Sequence, residues 1–358
     1  MLLCCLSLTL LWAQEGVRFE TLTFKEALQK AKEENRWIFL DAYISWCGPC
    51  KVMAEQVFTL AKAGVFFNSR FVNVKYDMEK GEGPELAKKL GIGAYPTLVL
   101  IRPDGVVHDK LVGGMDVDGI IQRVEHSMKQ TETVGTLAVR YEQGERDKDF
   151  LLKYLRALSD ASEVRRLREV AGILSGQLTD IEKIDSTCWI LFDNNDLAPF
   201  HSENYRFLLA HRKQFSQQVG QEKVDRRLGM LYTGVLSSIV WGRDTKTTFA
   251  DVQEIGKVIR TLKTDDKKRL LAYVSLANAY KEKNTSELLK ISKKAFPVFS
   301  DADVMMMVMP VSVYFRTQED KAALREFIPV GRTVVPNLKI QENVNYVTYY
   351  FDELEKQM

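Results

Sequence analysis

Residues 37–50 read WIFLDAYISWCGPC, an apolar run of strand length followed by two cysteines that are separated by two residues. The run Trp37–Tyr43 contains a single carboxylate, Asp41, and its otherwise continuous apolar character indicates a strand covered on both faces. The residues after Cys50 follow a helical pattern, so the cysteines lie where a strand gives way to a helix. Two thiols this close can cycle between a dithiol and a disulfide.

The strand-to-helix junction predicts different roles for the two cysteines. Unpaired N–H groups and the macrodipole at a helix N-terminus stabilise a thiolate, so Cys47 is predicted to be an exposed nucleophile. Cys50, one turn further on, is predicted to be the less exposed resolving thiol, which attacks the mixed disulfide between Cys47 and a substrate. Pro49 has no N–H to lose and fits the first helical turn, while Gly48 permits a tight loop.

Two other roles for the cysteine pair are a zinc half-site and a purely structural disulfide. The chain has five cysteines, and the remaining three, Cys4, Cys5 and Cys188, supply no second pair that would complete a tetrahedral zinc site. The four histidines are scattered without ligand spacing, so no metal is predicted. A bridge across two residues closes too small a loop to stabilise a fold much. These considerations favour redox chemistry.

The flanks of the cysteine pair predict an α/β unit with a central mixed sheet. A capping box at Thr23 and Glu26 starts a helix before the apolar run. The turn Pro103-Asp104-Gly105 joins two strands of a hairpin. The predicted order is helix, strand, helix, strand, helix, strand, strand, helix, and the elements after the cysteines are a helix through residue 60, a strand at 70–78, a helix at 84–90, strands at 96–101 and 106–112, and a helix at 116–128.

The stretch from about residue 19 to residue 129 resembles the thioredoxin family, because Trp46-Cys47-Gly48-Pro49-Cys50 is the active-site motif of that family. Asp41 stands six residues before Cys47, where the family keeps a buried carboxylate. The resemblance implies that Asp41 exchanges a proton with Cys50. Burial in an apolar strand would raise the pKa of Asp41 and make it a usable base, which agrees with that role.

The resemblance also assigns a substrate groove. Tyr95-Pro96-Thr97 is similar to the family's cis-proline segment, which packs against the disulfide and offers backbone groups to an extended substrate. Gly113 matches the glycine that leaves room beside the site. From the residues themselves, Trp46 either shields the adjacent thiol or contacts substrate, with packing in the core as the alternative. The chain departs from the family at Asn73, where a lysine near the buried carboxylate is common, and Lys75 follows two residues later.

The N-terminus predicts export. Residues 2–12 are almost wholly apolar and are followed by Ala13 and polar residues, so residues 1–13 are interpreted as a signal peptide that is cleaved after Ala13. The alternative is an N-terminal anchor that is not cleaved. Export implies a periplasmic or other extracytoplasmic location, where a dithiol needs a partner that reduces or oxidises it.

The length of 358 residues requires a second domain after the redox module. The predicted division is a thioredoxin-like domain at 14–130 and an all-α domain at 131–358. Apolar residues recur at helical spacing in the second part, in stretches near residues 150–158, 164–174, 224–239 and 252–262. A similar Ala-x-x-Tyr pattern at Tyr141 and Tyr280 indicates tetratricopeptide-like helix pairs.

These observations predict an exported thiol-disulfide oxidoreductase that reduces disulfides in client proteins. The dipeptide Gly48-Pro49 contains no histidine to stabilise the thiolate, which favours a reductase over an oxidase. The predicted partners are disulfide-containing clients and an upstream thiol donor, such as a membrane-bound one. No glycine-rich nucleotide motif occurs, so no cofactor is predicted besides the Cys47–Cys50 disulfide. The net charge of +2, from 50 basic and 48 acidic residues, excludes a basic footprint for nucleic acid.

Two alternative functions remain open on the sequence. One is a non-enzymatic interaction protein, in which the helical domain binds clients and the redox module only docks or senses. The other is a disulfide isomerase or chaperone that acts on misfolded exported proteins.

Overall fold

A computed structural model describes residues 15–318 and 320–358, and the predicted leader at residues 1–13 lies outside this part of the chain. The chain forms two compact units, one that extends to Thr179 and one that begins at Asp180. The first unit contains the cysteine pair and a four-stranded sheet.

The sheet of the first unit is mixed, with the strand order β2-β1-β3-β4. Strand β1 is parallel to β2 and antiparallel to β3, and β3 is antiparallel to β4. The strand that leads to the cysteines therefore lies inside the sheet, where both faces can be covered. The strands are β1 Trp37–Tyr43, β2 Phe71–Asp77, β3 Thr97–Ile101 and β4 Val107–Val112.

Helices cover both faces of the sheet. Helix α1 begins with the predicted capping box, in which the Thr23 side chain accepts from the Glu26 N–H and the Glu26 carboxylate accepts from the Thr23 N–H. Apolar side chains of α1 and α4 pack on one face, and those of α3 and α5 pack on the other. The helices are α1 Phe24–Glu34, α2 Gly48–Val52, α3 Ala61–Arg70, α4 Gly83–Leu90 and α5 Val117–Lys129.

The chain after the cysteines differs from the single helix predicted through residue 60. Helix α2 passes into a π-helical turn at Met53–Val57, and a further helix, α3, begins at Ala61. Helix α3 was not predicted, because Leu60 provides no side-chain cap and Gly64 lies inside the helix. Its stability comes from packing, since Phe66 and Phe67 are buried beside Phe39 and Phe71.

Three more helices complete the first unit, namely α6 Val134–Glu142, α7 Lys148–Asp160 and α8 Val164–Gln177. Helix α6 lies directly on the edge strand β4: a methyl group on Gly135 would lie 1.8 Å from the Val107 carbonyl oxygen. The Thr133 hydroxyl donates to the His108 carbonyl on the same strand. Helices α6, α7 and α8 thus belong to the same compact unit as the sheet. The predicted domain boundary at residue 130 stays a prediction.

The second unit is built from helices, with no strand among residues 180–318 and 320–358, which agrees with the predicted all-α character. The predicted tetratricopeptide-like repeat stays a prediction. The helices of this unit are α9 Asp180–Ile184, α10 Glu203–Ala210, α11 Arg212–Val219, α12 Gln221–Val240, α13 Phe249–Thr261, α14 Lys267–Lys281, α15 Thr285–Ala295, α16 Asp301–Asp303, α17 Met309–Thr317, α18 Lys321–Arg332 and α19 Gln341–Lys356.

The second unit pairs its buried carboxylates. Asp303 is fully buried and accepts from Arg269 at 3.0 Å, from the Tyr273 hydroxyl at 2.6 Å and from the Ser300 N–H at 2.8 Å. Asp225 is likewise buried and forms an ion pair with Arg212 at 2.5 Å. Each of these carboxylates is therefore neutralised and hydrogen-bonded, as a stable interior requires.

Candidate active site

The cysteine pair sits at the N-terminus of α2. Cys47 is the N-cap residue, with extended backbone, and its Sγ accepts from the Cys50 N–H at 3.2 Å. Cys47 and Cys50 form a disulfide, with their Cα atoms 5.3 Å apart. When the bond is reduced, the same N–H group is placed to stabilise a Cys47 thiolate.

The two cysteines differ little in exposure in this disulfide state, with 7% of Cys47 and 5% of Cys50 exposed. The sequence predicted an exposed first sulfur, and that contrast is absent here because the Cys47 sulfur is bonded to Cys50 and lies at the core cluster. The neighbours of Cys47 in the chain are exposed to solvent, namely Trp46, Gly48 and Pro49. The disulfide is therefore bordered by a rim of exposed residues.

Trp46 is held at this rim by a carboxylate that the sequence did not single out. The Trp46 side chain is 70% exposed, so it is not a core residue. Its indole N–H donates to the two carboxylate oxygens of Glu79, at 2.9 and 3.1 Å. Glu79 follows β2 and is 33 positions from Trp46, so no local spacing could have indicated the contact. Glu79 fixes the indole while leaving most of it open to solvent.

The peptide bond between Tyr95 and Pro96 is cis. The Pro96 carbonyl accepts from the Gly113 N–H at 2.9 Å, and the Thr97 hydroxyl donates to the Ala94 carbonyl at 2.8 Å. Gly113 has a φ of 96°, and a methyl group at its Cα would meet no atom within 4 Å. Open space therefore lies beside the segment that the resemblance assigns to substrate binding.

The cysteines and this segment come together in the fold. Tyr95 packs against the core cluster that contains Cys47 and Cys50. On the other side, a methyl group on Gly114 would lie 3.5 Å from Cβ of Pro49. The loop before β3 and the loop after β4 thus both lie beside the start of α2, where the disulfide is located.

Asp41 lies in the middle of β1 and is 4% exposed. Its Oδ1 atom is buried and has no hydrogen-bond partner among the described residues. Burial raises the pKa of Asp41 to about 7, and the positive charge of Lys75 opposes this rise. A carboxyl group with this pKa can both accept and return a proton near neutral pH.

The cation that acts on Asp41 is Lys75 of the neighbouring strand β2. In the parallel pairing of β1 with β2, Asp41 is opposite Lys75, whereas Asn73 is opposite Phe39. Residues opposite each other on neighbouring strands share a sheet face. The Lys75 ammonium also lies 5.3 Å from the centre of the Phe19 ring. Lys75, which is opposite Asp41, is thus the cation that acts on this carboxyl group.

No group of three or more potential metal-ligating His, Cys, Asp or Glu side chains occurs among residues 15–318 and 320–358. Within the same part of the chain, no helix has the length and apolar character needed to cross a bilayer.

Comparison with known proteins identifies the redox unit. Residues 19–103 match a family model described as thioredoxin-like. The chain is 40% identical over 100 residues to thioredoxin H4 of Arabidopsis thaliana, which is 28% of this chain and 79% of that protein. It is 27% identical over 100 residues to the thiol:disulfide interchange protein DsbD of Pseudomonas fluorescens, which is 27% of this chain and 17% of that protein.

Among solved structures, a putative disulphide-isomerase from Bacteroides thetaiotaomicron matches 32% of this chain and 96% of its own, with 43% identity and a TM-score of 0.31. The family-model match covers the part of the chain that carries β1, the cysteine pair and the cis-proline. The chain therefore belongs to the thioredoxin family, and its Cys47–Cys50 pair is that of a thiol-disulfide oxidoreductase.

Proposed function

We propose that this protein reduces disulfide bonds in exported client proteins. The observation that carries the proposal is the Cys50 N–H that donates to Cys47 Sγ at the start of α2, since it favours a nucleophilic thiolate at Cys47. The dipeptide between the cysteines supports the reducing direction because it has no histidine that would stabilise the reduced form.

The reaction begins when the Cys47 thiolate attacks one sulfur of a client disulfide. A Cys47–client mixed disulfide forms, and the other client sulfur leaves as a thiolate and takes a proton from water. The Cys50 thiol passes its proton to Asp41 and attacks Cys47 Sγ, so the second client thiolate leaves and the Cys47–Cys50 disulfide forms. Two electrons pass from the dithiol to the client, and an upstream dithiol donor returns two electrons to the protein.

The substrate groove in this proposal consists of Trp46, Gly48 and Pro49 on one side and Tyr95, Pro96, Thr97 and Gly113 on the other. The open space beside Gly113 supports this assignment, because an extended client chain needs room next to the disulfide. No further cofactor is required, since the disulfide itself carries the electrons.

The exported location rests on residues 1–13, together with the similarity to the interchange protein DsbD. Mass spectrometry of the protein purified from producing cells tests it, with a mature chain that begins near Gln14 as the expected result. A chain that retains residues 1–13 and fractionates with membranes would instead support the uncleaved anchor.

The activity is tested by insulin reduction with dithiothreitol as electron source, for wild type and Cys47→Ser. We expect turnover in the wild type only, and equal, negligible rates in both would favour the interaction-protein alternative. Direction is tested by equilibration with glutathione. A potential near the thioredoxin value of about −270 mV supports a reductase, whereas one near the DsbA value of about −120 mV would overturn it.

The clients are identified by trapping. Cys50→Ala cannot resolve the mixed disulfide, so client proteins stay bound to Cys47 and can be recovered by mass spectrometry. Cys47→Ser/Cys50→Ala is the matched control, since it lacks the attacking sulfur. A scrambled-disulfide refolding assay separates a reductase from the isomerase alternative, which predicts native disulfides without net reduction.

A further inference from the structure

The loop of residues 91–96, here called the cis-proline loop, connects α4 to β3 and ends in the cis bond before Pro96. Its start is fixed by a buried lysine of the edge strand β4. The Lys110 ammonium donates to the Leu90 carbonyl, directly before the loop, and to Glu163 at 2.6 Å. The Lys110 side chain is only 5% exposed and that of Glu163 18%, so this ion pair is shielded from solvent.

Glu163 belongs to the corner between α7 and α8, and that corner also meets the loop backbone. A methyl group on Gly93 would lie 2.5 Å from the Ser162 carbonyl oxygen, and one on Gly91 would lie 2.9 Å from the Glu163 carboxylate. A side chain at Gly93 would therefore clash with the backbone of the corner, and one at Gly91 would displace the Glu163 carboxylate.

The corner itself has an unusual backbone conformation. Ser162 has a φ of 54°, in the left-handed region that disfavours residues with a Cβ atom. Hydrogen bonds from the Ser162 N–H to Ser159 and from the Glu163 N–H to Leu158 fix this turn. A strained conformation of this kind persists only where its surroundings determine it. Here it directs the Ser162 carbonyl and the Glu163 carboxylate at the cis-proline loop.

We propose that the α7–α8 corner positions the cis-proline loop for client binding, with Glu163 as a positioning residue that acts through Lys110. The proposal rests on the proposed function, in which the cis-proline loop contacts an extended client. The helices after residue 130 then contribute to client recognition without touching the disulfide. A small disulfide reagent, which makes no use of the loop, is reduced independently of the corner.

The test compares two disulfide substrates in full-length Glu163→Gln. With insulin we expect KM to rise about tenfold while kcat stays within about twofold, because the loop loses its fixed position. With 5,5′-dithiobis(2-nitrobenzoic acid) we expect an unchanged rate. Glu169→Gln, the same substitution further along α8, is the matched control and should leave both substrates unaffected. An unchanged insulin KM in Glu163→Gln, or an equal loss with both substrates, would overturn the proposal.

A second variant guards against unfolding, since Glu163→Gln leaves a buried ammonium without its carboxylate. Lys110→Met/Glu163→Met removes both charges, and we expect the same rise in the insulin KM in a folded protein. Hydrogen–deuterium exchange should then be faster at the amides of residues 91–95 and unchanged at α1. Protection of the loop equal to that in wild type would overturn the proposal. A wild type that reduces neither substrate would refute the proposed function instead.

Discussion

The two units treat a buried carboxylate in opposite ways. Asp303 of the second unit accepts hydrogen bonds from Arg269, Tyr273 and Ser300, and both of its oxygens are satisfied. Asp41 of the first unit is nearly as buried, yet its Oδ1 has no partner among the described residues. A fully paired carboxylate meets the requirement of a stable interior, whereas an unsatisfied buried carboxyl group costs free energy and marks Asp41 as a candidate functional residue.

The two buried carboxyl groups, Asp303 and Asp41, suit different roles. Hydrogen bonds from Arg269, Tyr273 and Ser300 hold the Asp303 carboxylate in place, which suits a structural role in a helical unit. Isolation leaves Asp41 with a pKa of about 7, where a small change in its surroundings moves a proton. Substitutions in the two units should therefore have opposite effects on reactivity and on stability.

The largest loss of activity is expected from substitution of the redox cysteines. The first unit contains the reactive Cys47–Cys50 pair, and the second contains the buried Cys188. Cys47→Ser should lower the rate of insulin reduction by at least about 10³-fold, because a hydroxyl cannot form the mixed disulfide. Cys188→Ser in the second unit should leave that rate unchanged, since Cys188 is buried away from solvent. A comparable loss in Cys188→Ser would break the assignment of redox chemistry to the first unit.

Asp41→Asn should stabilise the protein, in contrast to the usual loss from a core substitution. A folded pKa above the unfolded value means that stability falls as the pH rises from about 4 to about 7. Removing the charge should raise the free energy of unfolding by about 4 kcal/mol at pH 8.5 and about 2 kcal/mol at pH 5. Denaturant unfolding of the oxidised protein at both pH values measures the difference, and an equal gain at both would contradict the shifted pKa.

The same substitution should slow the resolving step. In the wild type the rate of Cys50 attack should fall below pH 7, because protonated Asp41 cannot accept the thiol proton. Asp41→Asn should show a lower rate at pH 7.5 without this inflection near pH 7. Stopped-flow tryptophan fluorescence under single-turnover conditions follows the step, and an inflection that persists in the variant would assign it to another group.

Asp303→Asn tests the paired side of the contrast. Loss of the charge removes the buried partner of the Arg269 guanidinium and leaves only the exposed Asp266, so we expect about 3 kcal/mol of destabilisation, the lower end for a buried pair because Arg269 is 24% exposed. Asp266→Asn is the control, since the exposed Asp266 contacts the same arginine and should contribute under about 1 kcal/mol. Urea unfolding measures both. Reduction of the small disulfide reagent should stay at the wild-type rate in each variant.

The smallest effect is expected at the exposed carboxylate Glu79. Glu79→Ala frees the Trp46 indole and should raise the insulin KM about twofold to threefold, because one solvent-exposed hydrogen bond contributes about 1 kcal/mol or less. Glu79→Gln keeps an acceptor for the indole N–H and should restore most of the wild-type KM. An unchanged insulin KM in Glu79→Ala would contradict the role of the fixed Trp46 indole in client binding.

The sequence predicted those parts of the fold that depend on local signals. The capping box at Thr23 correctly placed the start of α1, and the strand predicted at 70–78 is observed at Phe71–Asp77. The apolar periodicity near residues 150–158 and 164–174 correctly indicated α7 and α8. The spacing of the two active-site cysteines likewise indicated that they can bond to each other, as they do.

The remaining features depend on contacts between distant parts of the chain. The facing of Asp41 and Lys75 requires the strand register, and a slip of one residue would turn Lys75 to the other face of the sheet. The contact between Trp46 and Glu79 depends on how two loops are brought together. The approach of Ser162 to Gly93 joins segments about 70 positions apart, and neither residue type signals the other.

The placement of Gly135 and Thr133 on β4 has a consequence for how the protein can be shortened. An edge strand whose hydrogen-bonding groups become accessible is a template for pairing with another chain. A fragment that stops after α5 would lose the helix laid over β4 and present that edge to its neighbours. Self-association would then compete with catalysis in a minimal redox fragment, whereas one extended through Thr179 would keep its sheet capped.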